Sequence, residues 1–358
     1  MAGQPVTPRT ALFALLACTA CHARPADKSV QPADSASSVD SGTPAPATVP
    51  AGTSVLAERD LYDAISGALE VADTRVRLAQ YTLWDSGDAS RLLEAVEDAA
   101  RRGVSVQVLA DEEADDTEAW LARLADAGAE TALDSPDVTL HTKLWIIDDV
   151  AYTGSHNLSD SALSSNREVS ARLTDPDAVA AFDAWFDGVW VDSTATPSVP
   201  ALPGNTRPVF DRDVLPAVLD CFHTANDRIR VAMYAFAWSA EYPGGEVDQI
   251  LQALVQANQR GVDVKVVLDG SAWITDHQIN DDAIVQLQAG GVDVRTADRS
   301  EVLHAKALVC DNGAFISDAN WSYSGLALYH GASVHIIADR LADDLAAWID
   351  ALHAAGTG

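Results

Sequence analysis

An internal duplication constrains this chain more than any other feature. Two stretches repeat one order of elements, so a fold must place two equivalent units in one molecule. The first has the apolar strand Arg75-Val76-Arg77-Leu78-Ala79-Gln80-Tyr81, the second Arg228-Ile229-Arg230-Val231-Ala232-Met233-Tyr234. Each is followed by an amphipathic helix that ends in Arg-Gly-Val, Leu92 to Val104 and Ile250 to Val262. Apolar residues recur there at Leu92, Val96 and Ala99, and at Leu251, Leu254 and Val255, a helical rhythm. Gly103 and Gly261 stand where a helix C-cap belongs. A second strand follows each helix, Val104 to Asp111 and Val262 to Asp269, and then another helix, Leu121–Ala127 and Ile284–Ala289. Strand–helix–strand–helix order predicts an α/β layered architecture, with the two halves related by a pseudo-twofold axis. The first half spans residues 55–195 and the second 209–358, joined by a connector at 196–208 rich in proline and glycine.

Each half carries one polar motif at the equivalent place. His141-Thr-Lys143 leads through an apolar run to Asp148, and His304-Ala-Lys306 leads to Asp311, so both read His-x-Lys-x4-Asp. The chain has only four lysines, Lys28, Lys143, Lys265 and Lys306, and two of them lie here. The apolar residues Leu144–Ile147 and Ala307–Val309 predict a strand, on which positions i and i+2 share a face. Histidine and lysine therefore project together. A neighbouring cation disfavours imidazolium and keeps the ring available as a nucleophile, while the ammonium offers a point charge to a phosphoryl oxygen. Asp148 and Asp311 belong to the motif, and their odd offset from the histidines assigns them to holding the strand end. Beyond the first motif, Ser155 and Asn157 offer neutral donors beside Gly154, and Glu168 is placed to orient an imidazole. The second half has Asn320 at the matching place, but Ser317-Asp318 where Gly154-Ser155 stand, and the stretch His330-Gly331-Ala332-Ser333, with no glutamate, where Glu168 stands. Asp318 would put a carboxylate where a phosphate donor is expected.

Charge narrows the substrate. Lys and Arg number 23 against 53 Asp and Glu, a formal net charge of −30. Sequence-independent nucleic-acid binding draws on cations against phosphates, so it is disfavoured; a local basic pocket remains compatible with this field. Adaptation to salt gives the same composition. Hydrophobic residues at 48% suffice for ordinary cores. Residues 1–17 read as a signal peptide whose apolar run, Ala11–Ala17, is too short to span a bilayer. It ends in Leu15-Leu16-Ala17-Cys18, which resembles a bacterial lipobox with Cys18 as the lipidated residue; Cys21 is the weaker candidate. Residues 18–54 read as a Pro/Ala/Ser-rich disordered tether, with a reach of roughly 30 Å. An exported, envelope-anchored lipoprotein is the expectation, periplasmic or associated with the outer membrane. No cysteine and histidine set has zinc spacing, and no metal is expected. Spacing leaves a Cys221–Cys310 disulfide undecided and gives it a low prior.

The two motifs with their Gly-Ser-x-Asn element resemble the phospholipase D superfamily over about residues 57–355. That resemblance implies two α/β/α sandwich halves with one active site at their interface. It also implies a two-step phosphodiester reaction without metal or other cofactor, through a covalent phosphohistidine. Carried onto this chain, it makes His141 and His304 the nucleophile and the acid/base, with His141 favoured as nucleophile. Lys143, Lys306, Asp148 and Asp311 complete the catalytic motifs; Ser155, Asn157 and Asn320 bind phosphate, and Glu168 supports. The implied partners are a phospholipid substrate and, through the anchor, a membrane. Nucleic acid is not expected as a partner, and the chain is expected to be a monomer. The implied function is a phospholipase D-type phosphodiesterase that hydrolyses or transphosphatidylates glycerophospholipids. Two alternatives stand beside it: a nuclease of the same superfamily, and a catalytically weak phosphate- or lipid-binding homologue prompted by Asp318. Trp84 and Trp238 either wall the pocket or pack in the core. The acidic run Asp111–Asp116 reads as solvated charge rather than a calcium loop. The remaining histidines His156, His223, His277, His330, His335 and His353 read as surface or satisfied core residues.

Overall fold

The computed structural model describes residues 52–111, 116–271 and 279–358. Cys18, Cys21, the leader, most of the tether, residues 112–115 and His277 lie outside them.

The duplication is realised strand for strand. The first half contains β1 (Ser54–Ala57), α1 (Asp60–Val71), β2 (Arg75–Gln80), α2 (Gly87–Arg102), β3 (Ser105–Ala110), α3 (Thr117–Asp126), β4 (Glu130–Leu133), β5 (Lys143–Ile147), β6 (Val150–Gly154), α4 (Asp160–Ser164), β7 (Val169–Leu173) and α5 (Pro176–Val191). The second repeats this as β8 (Thr206–Phe210), α6 (Val214–Thr224), β9 (Arg228–Met233), α7 (Glu246–Gln259), β10 (Asp263–Leu268), α8 (Asp281–Ala289), β11 (Asp293–Thr296), β12 (Lys306–Cys310), β13 (Gly313–Ile316), α9 (Tyr323–Ala327), β14 (Ala332–Ile337) and α10 (Asp339–Ala355). The sheet orders are β1-β7-β6-β5-β2-β3-β4 and β11-β10-β9-β12-β13-β14-β8, one order read in opposite directions. Within each, β2–β3–β4 and β9–β10–β11 pair in parallel, as helical crossovers require, and the other neighbours are antiparallel.

The helix stops act as the sequence predicts. Gly103 closes α2 at φ +93°, donating to the Ala100 and Ala99 carbonyls, and Gly261 follows α7 at φ +92°. Helix α5 begins at Pro176, with the Asp175 side chain accepting from the Asp177 and Ala178 amides. Two boundaries move: β1 starts inside the predicted tether, and β8 starts at Thr206, inside the predicted connector. Both are outermost strands, added antiparallel to β7 and β14, and short edge strands carry little periodicity to detect.

Three apolar cores result. Each sheet packs its outer helices on one face, giving one core per half. The third lies between the sheets and draws on both, with Phe182, Trp185 and Phe186 of α5, Leu345 and Ile349 of α10, and Leu144, Ala232, Leu303 and Ala307. This shared core joins the halves into one body. Among the described residues, no helix is long and apolar enough to cross a membrane.

Cys221, at the end of α6, is bonded to Cys310, the last residue of β12, with Cα atoms 5.9 Å apart. The sequence assigned this pair a low prior. The mixed sheet with its covering helix brings together residues 89 positions apart, which spacing alone does not reveal.

Candidate active site

Both His-x-Lys segments sit where β2 and β9 end, at the carboxyl edge of the parallel strands, a common place for ligand sites in α/β sheets. Lys143 pairs with Gln80 across β5 and β2, and Lys306 with Met233 across β12 and β9. Each histidine stands two residues before the first residue of the motif's lysine-led strand. The loop that holds it is tied down by a buried carboxylate: the Leu140 amide donates to Asp111 and Asp134, both at 3.0 Å, and the Leu303 amide donates to Asp269 at 2.8 Å.

The halves cross-bond at these loops. The His304 amide donates to the Arg167 carbonyl at 2.9 Å, and the His141 amide donates to the His330 carbonyl at 3.0 Å. Each histidine thus docks on the start of the last sheet strand of the opposite half. His141 and His304 are brought close enough for His304 and Lys306 to act on the proton affinity of His141.

Within each half the polar atoms repeat. Lys143 Nζ donates to the His141 carbonyl at 2.7 Å and lies 3.3 Å from both ring nitrogens. Lys306 Nζ donates to the His304 carbonyl at 2.7 Å and lies 2.8 Å from His304 Nε2. Tyr81 and Tyr234 pack against the histidine rings, with centroids 4.9 and 4.6 Å apart, and each also faces its lysine ammonium at 5.1 and 5.0 Å. These tyrosines were missed as site residues, although their equivalent places at the ends of the repeated strands carried the signal.

Glu168 is fully buried, and its carboxylate receives Nδ1–H of His304 at 2.9 and 3.0 Å. Ser155 Oγ donates to the same carboxylate at 2.5 Å, and Asn166 Nδ2 at 3.2 Å. The supporting residues of the first half therefore serve the histidine of the second. Burial alone would raise the Glu168 pKa, but His304 and then the cations prevail and hold it at about 2. Burial is also the main cause that brings His304 down to about 4, with Glu168 opposing and Lys306 assisting. At neutral pH the pair is an ionised carboxylate and a neutral imidazole. His141 lies well below its ordinary value, first through burial and then through Lys143 and Lys306.

Asn157 and Asn320 occupy equivalent places, and the Oδ1 atom of each is buried without a hydrogen-bond partner among the described residues. The group of each that can donate to a phosphoryl oxygen is the amide Nδ2–H, not this oxygen.

Asp148 and Asp311 are not in the site. Each lies at the far end of its strand, roughly 20 Å of extended chain from its histidine, in a left-handed conformation at φ +48° and +50°. Asp148 accepts from the Thr74 amide and hydroxyl and from the Asp73 and Arg75 amides; Asp311 accepts from the Asn226, Asp227 and Arg228 amides. Their place among the catalytic residues is corrected to strand-end anchors, in line with their odd offset.

Asp318 departs from expectation too. Its carboxylate turns into the protein and accepts from the Ala332 amide at 2.7 Å. Trp238 donates from its indole to Asp248 and packs on the second-half core, and Trp145 is buried in the first-half core. His156 and His353 are hydrogen-bonded inside the protein. His330 bonds Asp211 and the Ser193 carbonyl and also lines a cleft with His141 and Tyr329.

Comparison with known proteins agrees with this geometry. Cardiolipin synthase A of Escherichia fergusonii is 25% identical over 249 residues, covering 58% of this chain and 49% of that protein. The Citrobacter koseri enzyme of the same name is 26% identical over 251 residues, with the same coverage of each. The chain spans about half the length of the curated relatives it matches. Among solved structures, phosphatidylserine synthase of Haemophilus influenzae shares the fold with a TM-score of 0.66 at 11% identity, over 85% of each chain. Polyphosphate kinase from Porphyromonas gingivalis does so at 0.61 and 14% identity, over 83% of this chain and 46% of its own. The family described as "Cardiolipin synthase, PLD-like domain" matches twice, over residues 65–190 and 218–353, and with both motifs meeting at one site this chain belongs to the phospholipase D superfamily.

Proposed function

We propose that this protein cleaves the phosphodiester of glycerophospholipids and passes the phosphatidyl group to water or an acceptor alcohol, through a phosphohistidine. The observation that carries this is the meeting of two His–Lys pairs, one from each half, with a buried carboxylate hydrogen-bonded to the ring of His304. Two lysines, 2% and 0% exposed, supply positive charge for a phosphoryl anion inside a chain of net charge −30. The names of the relatives, cardiolipin synthase and phosphatidylserine synthase, support a phospholipid substrate. The run ending at Cys18 that resembles a lipobox, with the Pro/Ala/Ser-rich stretch after it, supports a site held beside a membrane.

The asymmetry supports the division of labour. His141, which burial and the neighbouring lysines keep unprotonated, attacks phosphorus as a neutral imidazole. His304, backed by Glu168, carries the proton. In the first step a P–N bond forms to His141, the P–O bond to the leaving alcohol breaks, and His304 delivers a proton to that oxygen. A bound diester anion raises the proton affinity of His304 in readiness. In the second step His304 takes a proton from water or an alcohol, whose oxygen attacks phosphorus as the P–N bond breaks. Lys143, Lys306, Asn157 and Asn320 hold the phosphoryl oxygens, and the fixed ammonium groups oppose the charge that develops on them.

The test is mass spectrometry of vesicles of phosphatidylcholine and phosphatidylglycerol incubated with the protein and glycerol. Phosphatidic acid reports hydrolysis; cardiolipin or new phosphatidylglycerol reports transfer. Acid-quenched protein is mapped for phosphohistidine. The reading expects turnover abolished in His141→Ala and His304→Ala, and label on the peptide that contains His141. Label on the His304 peptide reverses the roles, and cleavage of nucleic acid but no phospholipid replaces the substrate.

A further inference from the structure

The two halves differ in a paired way. In the first, position 155 is serine and position 168 is glutamate, joined by the hydrogen bond from Ser155 to Glu168. In the second, the equivalent positions are Asp318 and Gly331. One half therefore has its carboxylate just before β7 and a small polar residue just after β6; the other has its carboxylate after β13 and no side chain just before β14.

The two changes occupy one space. A Cβ added at Gly331 would lie 2.7 Å from Asp318 Oδ1, 3.1 Å from Oδ2 and 3.2 Å from Cγ. The Asp318 carboxyl group thus fills the volume into which a side chain at 331 would grow. It is fully buried, accepts from the Ala332 amide at 2.7 Å, and has Ser333 Oγ at 3.4 Å. Lys143, the lysine of the His141 motif, acts on this carboxylate as Lys306 acts on Glu168. The Asp318 backbone favours the protonated form of His141, and the two residues line one cleft with His330 and Gly331. A buried anion without compensation would be costly; this one has a cation and a backbone donor, yet burial outweighs them and pushes its pKa up to about 6, so it is ionised for the most part at neutral pH.

We infer that Asp318 is the positioning residue and counter-charge of His141, and that Asp318 with Gly331 is a transposed form of the Ser155–Glu168 pair that serves His304. The inference rests on the proposed function for its catalytic consequence, and on the cleft that Asp318 and Gly331 share with His141 for its effect on the His141 ring. Both histidines are thereby backed by a carboxylate from the opposite half, one just before β7 and one after β13. The second half is complete rather than degenerate, and Asp318 is no mark of a dead site.

The test is a transposition cycle in the full-length protein: Asp318→Asn, Asp318→Ser, Gly331→Glu and the double variant Asp318→Ser/Gly331→Glu. Asp318→Asn keeps the shape and an acceptor for the Ala332 amide, so it removes charge with the least disturbance of folding. The expected result is a kcat lowered about 100-fold in Asp318→Asn and Asp318→Ser with KM changed less than about threefold, the scale of losing a group that supports a catalytic histidine. The double variant recovers at least tenfold over Asp318→Ser, while Gly331→Glu alone loses activity through the clash. In parallel, histidine-selective 15N NMR is assigned with His141→Asn. The ring signals of His141 shift in Asp318→Asn and return toward wild type in the double variant, while those of His304 stay in place. Unchanged His141 signals in folded Asp318→Asn overturn the inference. So does a double variant no better than Asp318→Ser in both readouts. A protein inactive on every phospholipid, yet with the predicted His141 shifts, overturns the substrate and leaves the positioning role standing.

Discussion

Reducing the Cys221–Cys310 bond should destabilise the protein by an amount set by the loop it closes. The bonded residues are 89 positions apart. Loop-closure entropy for that length is about 15 cal/mol/K, so cross-linking the unfolded chain is worth about 4.6 kcal/mol at 25 °C. The cooperative unit is roughly 300 residues, because the core between the sheets draws on both halves. An unfolding entropy of about 2.1 cal/mol/K per residue then converts the loss to about 7 °C in Tm. Unfolding of the second half alone would double that shift. The assay is calorimetry and urea unfolding of oxidised and reduced protein, with thiol counting to confirm each state. Reduction is preferred to substitution, because both cysteines are buried and truncation would add a cavity. Turnover at 25 °C should survive reduction, since Cys310 lies at the end of β12 remote from Lys306. A loss below about 1 kcal/mol would refute the entropic reasoning. Loss of the first half's structure at an unshifted temperature would refute the single cooperative unit.

Three further outcomes follow from the same geometry. Glu168→Gln should lower kcat on phospholipid by about 10²- to 10⁴-fold with little change in KM, because the amide cannot balance charge on His304; a loss below tenfold in steady-state kinetics would remove Glu168 from the proton-carrying pair. Asp148→Ala or Asp311→Ala should cost about 2–3 kcal/mol in urea unfolding by stripping backbone amides of their acceptor, and the folded variants should keep their phosphohistidine label. The Asp211–His330 pair should be pH-dependent: burial opposes protonation of His330, but Asp211 raises its pKa overall. A raised folded pKa stabilises fully below the ordinary value of 6.5 and loses that contribution as pH climbs through the folded value. Asp211→Asn should therefore destabilise more at pH 6 than at pH 8.5, and an equal cost at both would sink the assignment.

How much was legible in the sequence varied with the range of the interaction. Gly103, Gly261 and the paired apolar runs revealed the elements, because caps and periodicity act over a few residues. The i,i+2 parity joined His141 to Lys143 and His304 to Lys306, and the odd offset placed Asp148 and Asp311 at the strand ends. Tyr81 and Tyr234 stood in plain sight at equivalent places, but only the packed structure shows that their rings lie against the histidines.

The sequence by itself determined the repeat, the α/β order, both His–Lys pairs and the equivalence of Asn157 and Asn320. It could not say which half serves which histidine, because a pseudo-twofold interface exchanges partners between segments more than 100 residues apart: Glu168 and His304 are separated by 136 positions. The Cys221–Cys310 bond was hidden for the same reason. Asp318 and Gly331 looked like two separate departures from the repeat. Only the tertiary structure shows one occupying the space the other leaves, since excluded volume is a property of neighbours in space and not of neighbours in the chain.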